Sequence, residues 1–566
     1  MHVAAVYPRT MKAPRWLATA AGAVVVLACR GGPSHDATAT TTGASGTTVV
    51  ATTSGTAGTQ TGGTVGGSGT AGDTSGGAPR CSEAPEDYLD GSLVEQLAAL
   101  GTGTLCCADL LAAYLDRIEA LDDGPDGIGA VIALDPAAAQ AAAALDAQDR
   151  PAGPLHCALL LVKDNIDVAG MANTAGSLAM VDNVVPTDAP AVAALRTAGA
   201  VVVGKANLSE WANFRGQNST SGWSSLGGQT KNGANPAYNP CGSSSGSAAA
   251  IAAGMVPAAL GTETSGSVVC PASMNGVVGF KPTLGLVSRT DVIPIAHSHD
   301  TIGPMARTVE DVALLLSVMA GPDPEDPATS EIPPGFETDF PAALEGATFA
   351  GKRLGVAPSF VAAFPVEEQA LFDAQIARIE AAGATVVDVS LPSTAPLSGP
   401  FVTVLTTELK VDLNAYLADH AAPGVPGSLA EIIAFNEANA AEVMPYFGQE
   451  WFLQAQNTAG LDDPQYVDAL ATVRQGAGAN GLLPVLEGND LDAIVLPTTG
   501  PAWTTNYATG DAGGPSAAFL PAAAGYPHLT VPMGEVGDRP VGISFIGRPW
   551  DDAAMLALGH AYETLP

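Results

Sequence analysis

Short apolar runs alternate along most of this chain with segments of helical period, after an N-terminal stretch that holds almost no large apolar residue. Runs at 129–134, 158–163, 200–204, 353–357, 384–389, 493–497, 529–533 and 541–546 are short, apolar and bounded by turn residues, and they read as strands. Segments near 106–121, 136–148, 188–198, 246–254, 308–319, 366–382, 463–475 and 551–563 carry the helical period. This alternation predicts an α/β protein. No linker strong enough to divide 85–566 interrupts it, and alanine-rich windows such as Ala137 to Ala147 read as packed helix.

Composition narrows the picture. A chain of 566 residues with 47% hydrophobic content can bury a large core, and with only 5% aromatics that core must rely on aliphatic and small side chains. A formal charge of −35 and a pI near 4.3 argue against nucleic acid and anionic membrane surfaces as partners.

At the N-terminus, Lys12 and Arg15 precede an apolar stretch from Trp16 to Ala28 that is short for a bilayer span, and Cys29 follows. The pattern resembles a bacterial lipoprotein leader. It predicts a signal peptide over 1–28, lipid modification at Cys29 as the one membrane contact, and an exported cell-envelope protein, periplasmic or surface-exposed. Residues 29–80, rich in Thr, Gly, Ser and Ala, cannot bury enough surface to offset chain entropy and read as a tether. The six other cysteines, Cys81, Cys106, Cys107, Cys157, Cys241 and Cys270, can form disulfides or serve as small core residues, and sequence does not pair them. No Cys/His spacing suggests a metal site.

The segment Asn239 to Arg289 carries the candidate chemistry. Two Gly/Ser-rich turns flank a small-residue helix and present Ser243 and Ser267 on sparsely substituted backbone. Glycine permits the positive φ and the close approach that an oxyanion hole of successive N–H groups requires, which makes Thr264, Ser265, Gly266 and Ser267 candidates for one. Upstream, Lys163 ends the apolar run from Leu155. A lysine there snorkels to solvent, pairs with Asp164 or Asp167, or is buried with a depressed pKa and so able to act as a general base.

The motifs VKDNIDVAG, NPCGSSSGSAAA and GTETSGSVVCPASMNGVVGFKPT, in that order and at these intervals, resemble the amidase signature family, and flanking likeness runs from about Leu93 to the C-terminus. GWSSLGGQTKN and SGSVVCPA are most similar to its bacterial peptide amidase branch. Transamidosome members usually carry arginine two residues after the nucleophile, where this chain has Val269; many relatives also have glycine in place of Cys241 and Ser245. The resemblance implies an amidase domain over 81–566, with a mixed central β-sheet covered by helices on both faces. It implies a Ser267 nucleophile, a relay through Ser243 after a cis Gly242–Ser243 peptide, and Lys163 as base, with Ser244 in support. The substrate expected is a small-molecule or peptide amide, with no metal or organic cofactor. In the family the region corresponding to Ser398–Asn480 walls the substrate channel, which makes Phe401, Tyr446, Phe447 and Trp451 candidates for that wall.

Two other readings compete. Gly242-Ser243-Ser244-Ser245-Gly246 matches the G-x-S-x-G elbow of α/β-hydrolase esterases, which would make Ser244 the nucleophile with a histidine among His297, His299, His420, His528 and His560. The tripeptide before it is not a buried strand, as an elbow demands. A leader, a cysteine and a tether also suit a non-catalytic solute-binding lipoprotein, but binding alone does not need Lys163 with both serines.

Overall fold

Val/Leu-rich runs form the sheet that the periodicity calls for, with Leu159–Lys163, Val201–Ala206, Arg353–Val356, Thr385–Asp388, Ala493–Pro497, His528–Val536 and Arg539–Ile546 all within a few residues of the predicted positions. The computed structural model describes residues 81–148 and 151–566, so the predicted leader (1–28), Cys29 and the tether (29–80) lie outside the described residues.

Eleven strands make one mixed sheet. Its spatial order is Val131–Leu134, Val201–Ala206, Leu159–Lys163, Ala258–Glu263, Thr301–Ala306, Val278–Lys281, His528–Val536, Arg539–Ile546, Ala493–Pro497, Arg353–Val356, Thr385–Asp388. Leu159–Lys163 pairs parallel with both neighbours, and the middle of the sheet, from Ala258–Glu263 to Ala493–Pro497, is antiparallel.

Alternation along each strand sends side chains to two separate cores. Leu160, Val162 and Val202 join one, under the helices Pro190–Thr197, Val309–Met319, Val366–Ala381 and Asp552–Glu563. Leu159, Leu161, Val201 and Val203 join the other, under Cys107–Asp122, Ala138–Asp146 and Ser245–Ala252. A sheet covered on both faces needs apolar residues at successive positions, which is why Leu159–Lys163 reads as an unbroken buried run.

Between Thr385–Asp388 and Ala493–Pro497 the chain makes a helical excursion that includes the 26-residue helix Ala395–His420 and a π-helical stretch, Gln475–Leu482. Phe401 is a core residue here, edge-on to His299 and Phe519, whereas Tyr446 is 43% exposed and stacks on Tyr507. Phe447 lies under the Arg215 guanidinium, and Trp451 stacks on Phe214. The six described cysteines pair as Cys81–Cys106, Cys107–Cys157 and Cys241–Cys270.

Candidate active site

Leu159–Lys163 and Ala258–Glu263 are adjacent parallel strands with Val162 opposite Leu260. Their carboxyl ends coincide, the position where open α/β sheets build their sites. Lys163 closes the first strand, and the second runs through Glu263 into the turn Thr264–Ser267 and the helix Val269–Asn275. Ser243 precedes the helix Ser245–Ala252.

Lys163 is fully buried, and its Nζ donates to Ser243 Oγ at 2.7 Å, to Thr262 Oγ1 at 2.8 Å and to the Thr262 carbonyl at 3.2 Å. It does not pair with either neighbouring aspartate, because both are engaged elsewhere. Asp164 lies 3.1 Å from buried Lys205, and Asp167 accepts from Asn173 and from the Tyr416 hydroxyl. With its ammonium removed from water, Lys163 is lowered to about 7, although the carboxylates of Asp300 and Glu263 pull it upward. A substantial fraction of this amine is therefore neutral near neutral pH.

Gly242–Ser243 is a cis peptide. A Cβ on Gly242 would meet Ser209 Oγ at 2.2 Å, so any larger residue there would have to displace Ser209. The serine loop is knit by its own hydroxyls. Ser245 Oγ donates to the Cys241 carbonyl at 2.7 Å, while Ser244 Oγ donates to Thr262 O at 3.1 Å and accepts from Thr262 N at 3.2 Å. Ser244 is thus a brace between loop and strand, and none of the five histidines pairs with it among the described residues. His297 meets Asp412, His299 meets Ser298, His420 meets Asp167, His528 meets Ser544, and His560 lies near Glu563.

Ser267 is 9% exposed, against 0% for Ser243 and Lys163, and is the most accessible of the three. Its carbonyl accepts the Ser244 N–H at 3.1 Å, which ties the two serine loops together. Gly266 sits at φ +87, and among the described residues the N–H groups of Ser265, Gly266 and Ser267 donate to no protein acceptor. Polar N–H groups left free beside a serine can receive a developing oxyanion. Glu263 fixes the far side of the turn by accepting from Val268 N at 2.8 Å and Val269 N at 3.1 Å. Asp300 fixes the near side, accepting from Thr264 Oγ1 at 2.6 Å and from the N–H groups of Ile295 and Ala296, and burial pushes its carboxyl up to about 6.

Sequence reasoning missed Thr262, Glu263, Asn165 and Asp300. The first three stand inside the quoted motifs GTETSGS and VKDNIDVAG, but nothing in the motifs says that Thr262 holds Lys163, or that Asn165 Nδ2 holds Thr262 Oγ1 at 3.0 Å. Thr262→Val removes an acceptor from Lys163 and strands Asn165. It is expected to lower kcat about tenfold with little change in KM, the loss of roughly one neutral hydrogen bond. Steady-state kinetics at a pH above the lysine inflection would check this, and unchanged kcat would mean that Thr262 does not orient the amine.

The fold and site define a hydrolase that acts on amide bonds. The family described as Amidase matches residues 109–556, and the chain belongs to the amidase signature family. It is 39% identical over 422 residues to a probable amidase of Arabidopsis thaliana, covering 72% of this chain and 76% of that one. It is 36% identical over 425 residues to a glutamyl-tRNA(Gln) amidotransferase subunit of Natronomonas pharaonis, covering 72% and 96%. The solved native peptide amidase of Stenotrophomonas maltophilia is 45% identical with a TM-score of 0.79, covering 84% of this chain and 97% of that one, and the likeness is to the peptide amidase branch. The esterase and solute-binding readings find no support.

These relatives correct one expectation. An exported envelope lipoprotein, periplasmic or surface-exposed and anchored through Cys29, was expected from the N-terminus. The matching proteins are amidases and transfer-RNA amidotransferase subunits rather than envelope lipoproteins, and among the described residues no helix is long and apolar enough to cross a membrane. The physical reason is that an alanine- and valine-rich run after two basic residues, with a small residue before a cysteine, is a low-information pattern. Beside likeness to these relatives over most of the chain, such a pattern carries little weight about location.

Proposed function

We propose that the chain converts C-terminal peptide amides to free acids and ammonia, with Ser267 as nucleophile, Ser243 as proton shuttle and Lys163 as base, in an amidase domain over 81–566. The observation that carries this reading is the 2.7 Å hydrogen bond from a fully buried lysine to Ser243, beside a turn with unclaimed N–H groups. Neutral Lys163 takes the Ser243 proton as Ser243 takes that of Ser267, and the Ser267 oxygen attacks the amide carbon. The N–H groups of the 264–267 turn hold the oxyanion. The proton then returns through Ser243 to the departing nitrogen, ammonia leaves, and water resolves the acyl-enzyme by the same relay. The 45% identity to a solved peptide amidase supports a substrate with a peptide acyl part.

A screen of ammonia release tests the substrate, run on peptide amides, aryl amides, aliphatic amides and glutamine. Peptide amides are expected to be the best substrates, at a rate unchanged by EDTA because the base is an amine. Preference for glutamine or long-chain acyl amides would end the peptide assignment.

The pH dependence follows from Lys163. Below its pKa the amine is an ammonium with no lone pair to accept a proton, so kcat/KM is expected to fall on the acid side through an inflection near the lysine's value of about 7 and to level off above it. Because Asp300 and Glu263 act on the same amine, the inflection belongs to the group. A rate that rose on acidification would contradict the assignment of the base.

A further inference from the structure

Cys241 stands two residues before Ser243, and Cys270 stands three residues after Ser267. Their disulfide, with 6.0 Å between Cα atoms, therefore joins the two loops that carry the serines. Cys241 lies in the left-handed region at φ 59, its N–H donating to Asn239 Oδ1 at 2.8 Å and its carbonyl accepting from Ser245 Oγ at 2.7 Å. Without the bridge, the direct ties between the loops include the Ser244 N–H to Ser267 carbonyl bond and the bond from Asn275 Nδ2 to the Pro240 carbonyl at 2.9 Å. The other two disulfides join the N-terminal segments to one another and to Cys157, not the serine loops. Cys270 is half-buried and open to a small reductant, whereas Cys107 and Cys157 are fully buried.

We infer that the Cys241–Cys270 bridge is a positioning element for amide hydrolysis, which sets the Ser243 loop against Ser267 at the spacing that proton transfer needs, and that turnover falls when the bridge is reduced. The inference rests on the proposed roles of Lys163, Ser243 and Ser267. Proton transfer between hydroxyls needs hydrogen-bond contact, and a misplacement of about 1 Å can cost on the order of 10²-fold in rate. A covalent tie two residues from one serine and three from the other limits such drift more than these two hydrogen bonds do. In the reduction, a dithiol thiolate attacks one bridge sulfur and forms a mixed disulfide. The reagent's second thiol then closes its own cyclic disulfide, and two electrons and two protons are left on Cys241 and Cys270 as thiols.

The test uses the full chain and two readouts, the rate of covalent labelling by a fluorophosphonate and the kcat and KM for ammonia release from a neutral dipeptide amide. The double variant Cys241→Ala/Cys270→Ala is expected to label and turn over about tenfold more slowly at a temperature well below its melting point, with KM nearly unchanged. Dithiothreitol is expected to bring the parent chain down to the level of the double variant, and oxidised glutathione to restore it. The double variant itself should not respond to either, and Cys81→Ala/Cys106→Ala should behave as the parent. Labelling and kcat at the parent rate in the double variant would overturn the inference, even if its melting temperature dropped, because a bridge that only stabilises the fold leaves the rate per folded molecule intact. A dithiothreitol effect of equal size in parent and double variant would overturn it too. If the double variant does not fold, the reduction and reoxidation of the parent beside Cys81→Ala/Cys106→Ala decides the question. Ser267→Ala separates the two levels: labelling that survives it refutes the proposed nucleophile, whereas labelling lost there but intact in the double variant refutes the bridge alone.

Discussion

Ser267→Ala is expected to abolish covalent labelling and to lower kcat by on the order of 10⁶, leaving the fold intact. The size follows from what the hydroxyl does. Without it no acyl-enzyme forms, and only binding and the oxyanion donors remain, a residue of catalysis typical of serine hydrolases that have lost the nucleophile. The fold should tolerate the change because Ser267 is the least buried of the three, and its main-chain carbonyl, which holds Ser244 N–H, is kept. Labelling monitored by intact-mass spectrometry, with a melting curve alongside, reads both halves of the expectation. If Ser244→Ala removed the label while Ser267→Ala did not, the attacking oxygen would be Ser244.

Lys163→Met is expected to lower kcat by roughly 10²–10⁴, the usual contribution of a positioned general base, and to remove the acid-side inflection from the pH profile. Methionine keeps most of the lysine's length and apolar volume, so the surrounding core stays filled. The change does leave Ser243 Oγ and Thr262 Oγ1 without their shared donor, and a modest loss of stability accompanies the loss of rate. The two effects separate in a pH series taken well below the melting temperature. An inflection near neutrality that persisted in the methionine variant would place the base elsewhere, with Asp300 the first residue to test.

Much of the fold was legible because its signals are local. The run ending at Lys163 could be read as a buried strand from five consecutive apolar and terminal positions, and the helix Val366–Ala381 from its period alone. Three central strands escaped notice, Ala258–Glu263, Val278–Lys281 and Thr301–Ala306. Each is interrupted by glycine, at Gly261, Gly279 and Gly303, and the last also holds Pro304, residues that argue against a strand when read alone. They are strands because neighbours on both sides supply the pairing, and close packing favours glycine: a Cβ on Gly303 would meet the Phe280 carbonyl at 2.3 Å. The helix Ala395–His420 escaped for a related reason, with Gly399 and Pro400 in its first two turns.

The site divides in the same way. Lys163, Ser243 and Ser267 stood out by residue type and by the order of the motifs. Thr262, Asp300 and the disulfide partner of Cys241 did not, because their roles are set by which segments the sheet brings side by side. Thr264 and Asp300, for example, meet through a hydroxyl and a carboxylate from strand ends that pair only in the folded sheet.

The placement of the hairpin His528–Ile546 sets a condition on biosynthesis. These two strands lie in the interior of the sheet, between Val278–Lys281 and Ala493–Pro497, although both of those neighbours precede them in the chain. Until they emerge, Val278–Lys281 and Ala493–Pro497 each present an unsatisfied hydrogen-bonding edge, and the two flanks of the sheet have nothing to join them. The nascent chain therefore cannot close its sheet stepwise from the N-terminus; it waits with open strand edges that invite intermolecular pairing until His528–Ile546 has been made.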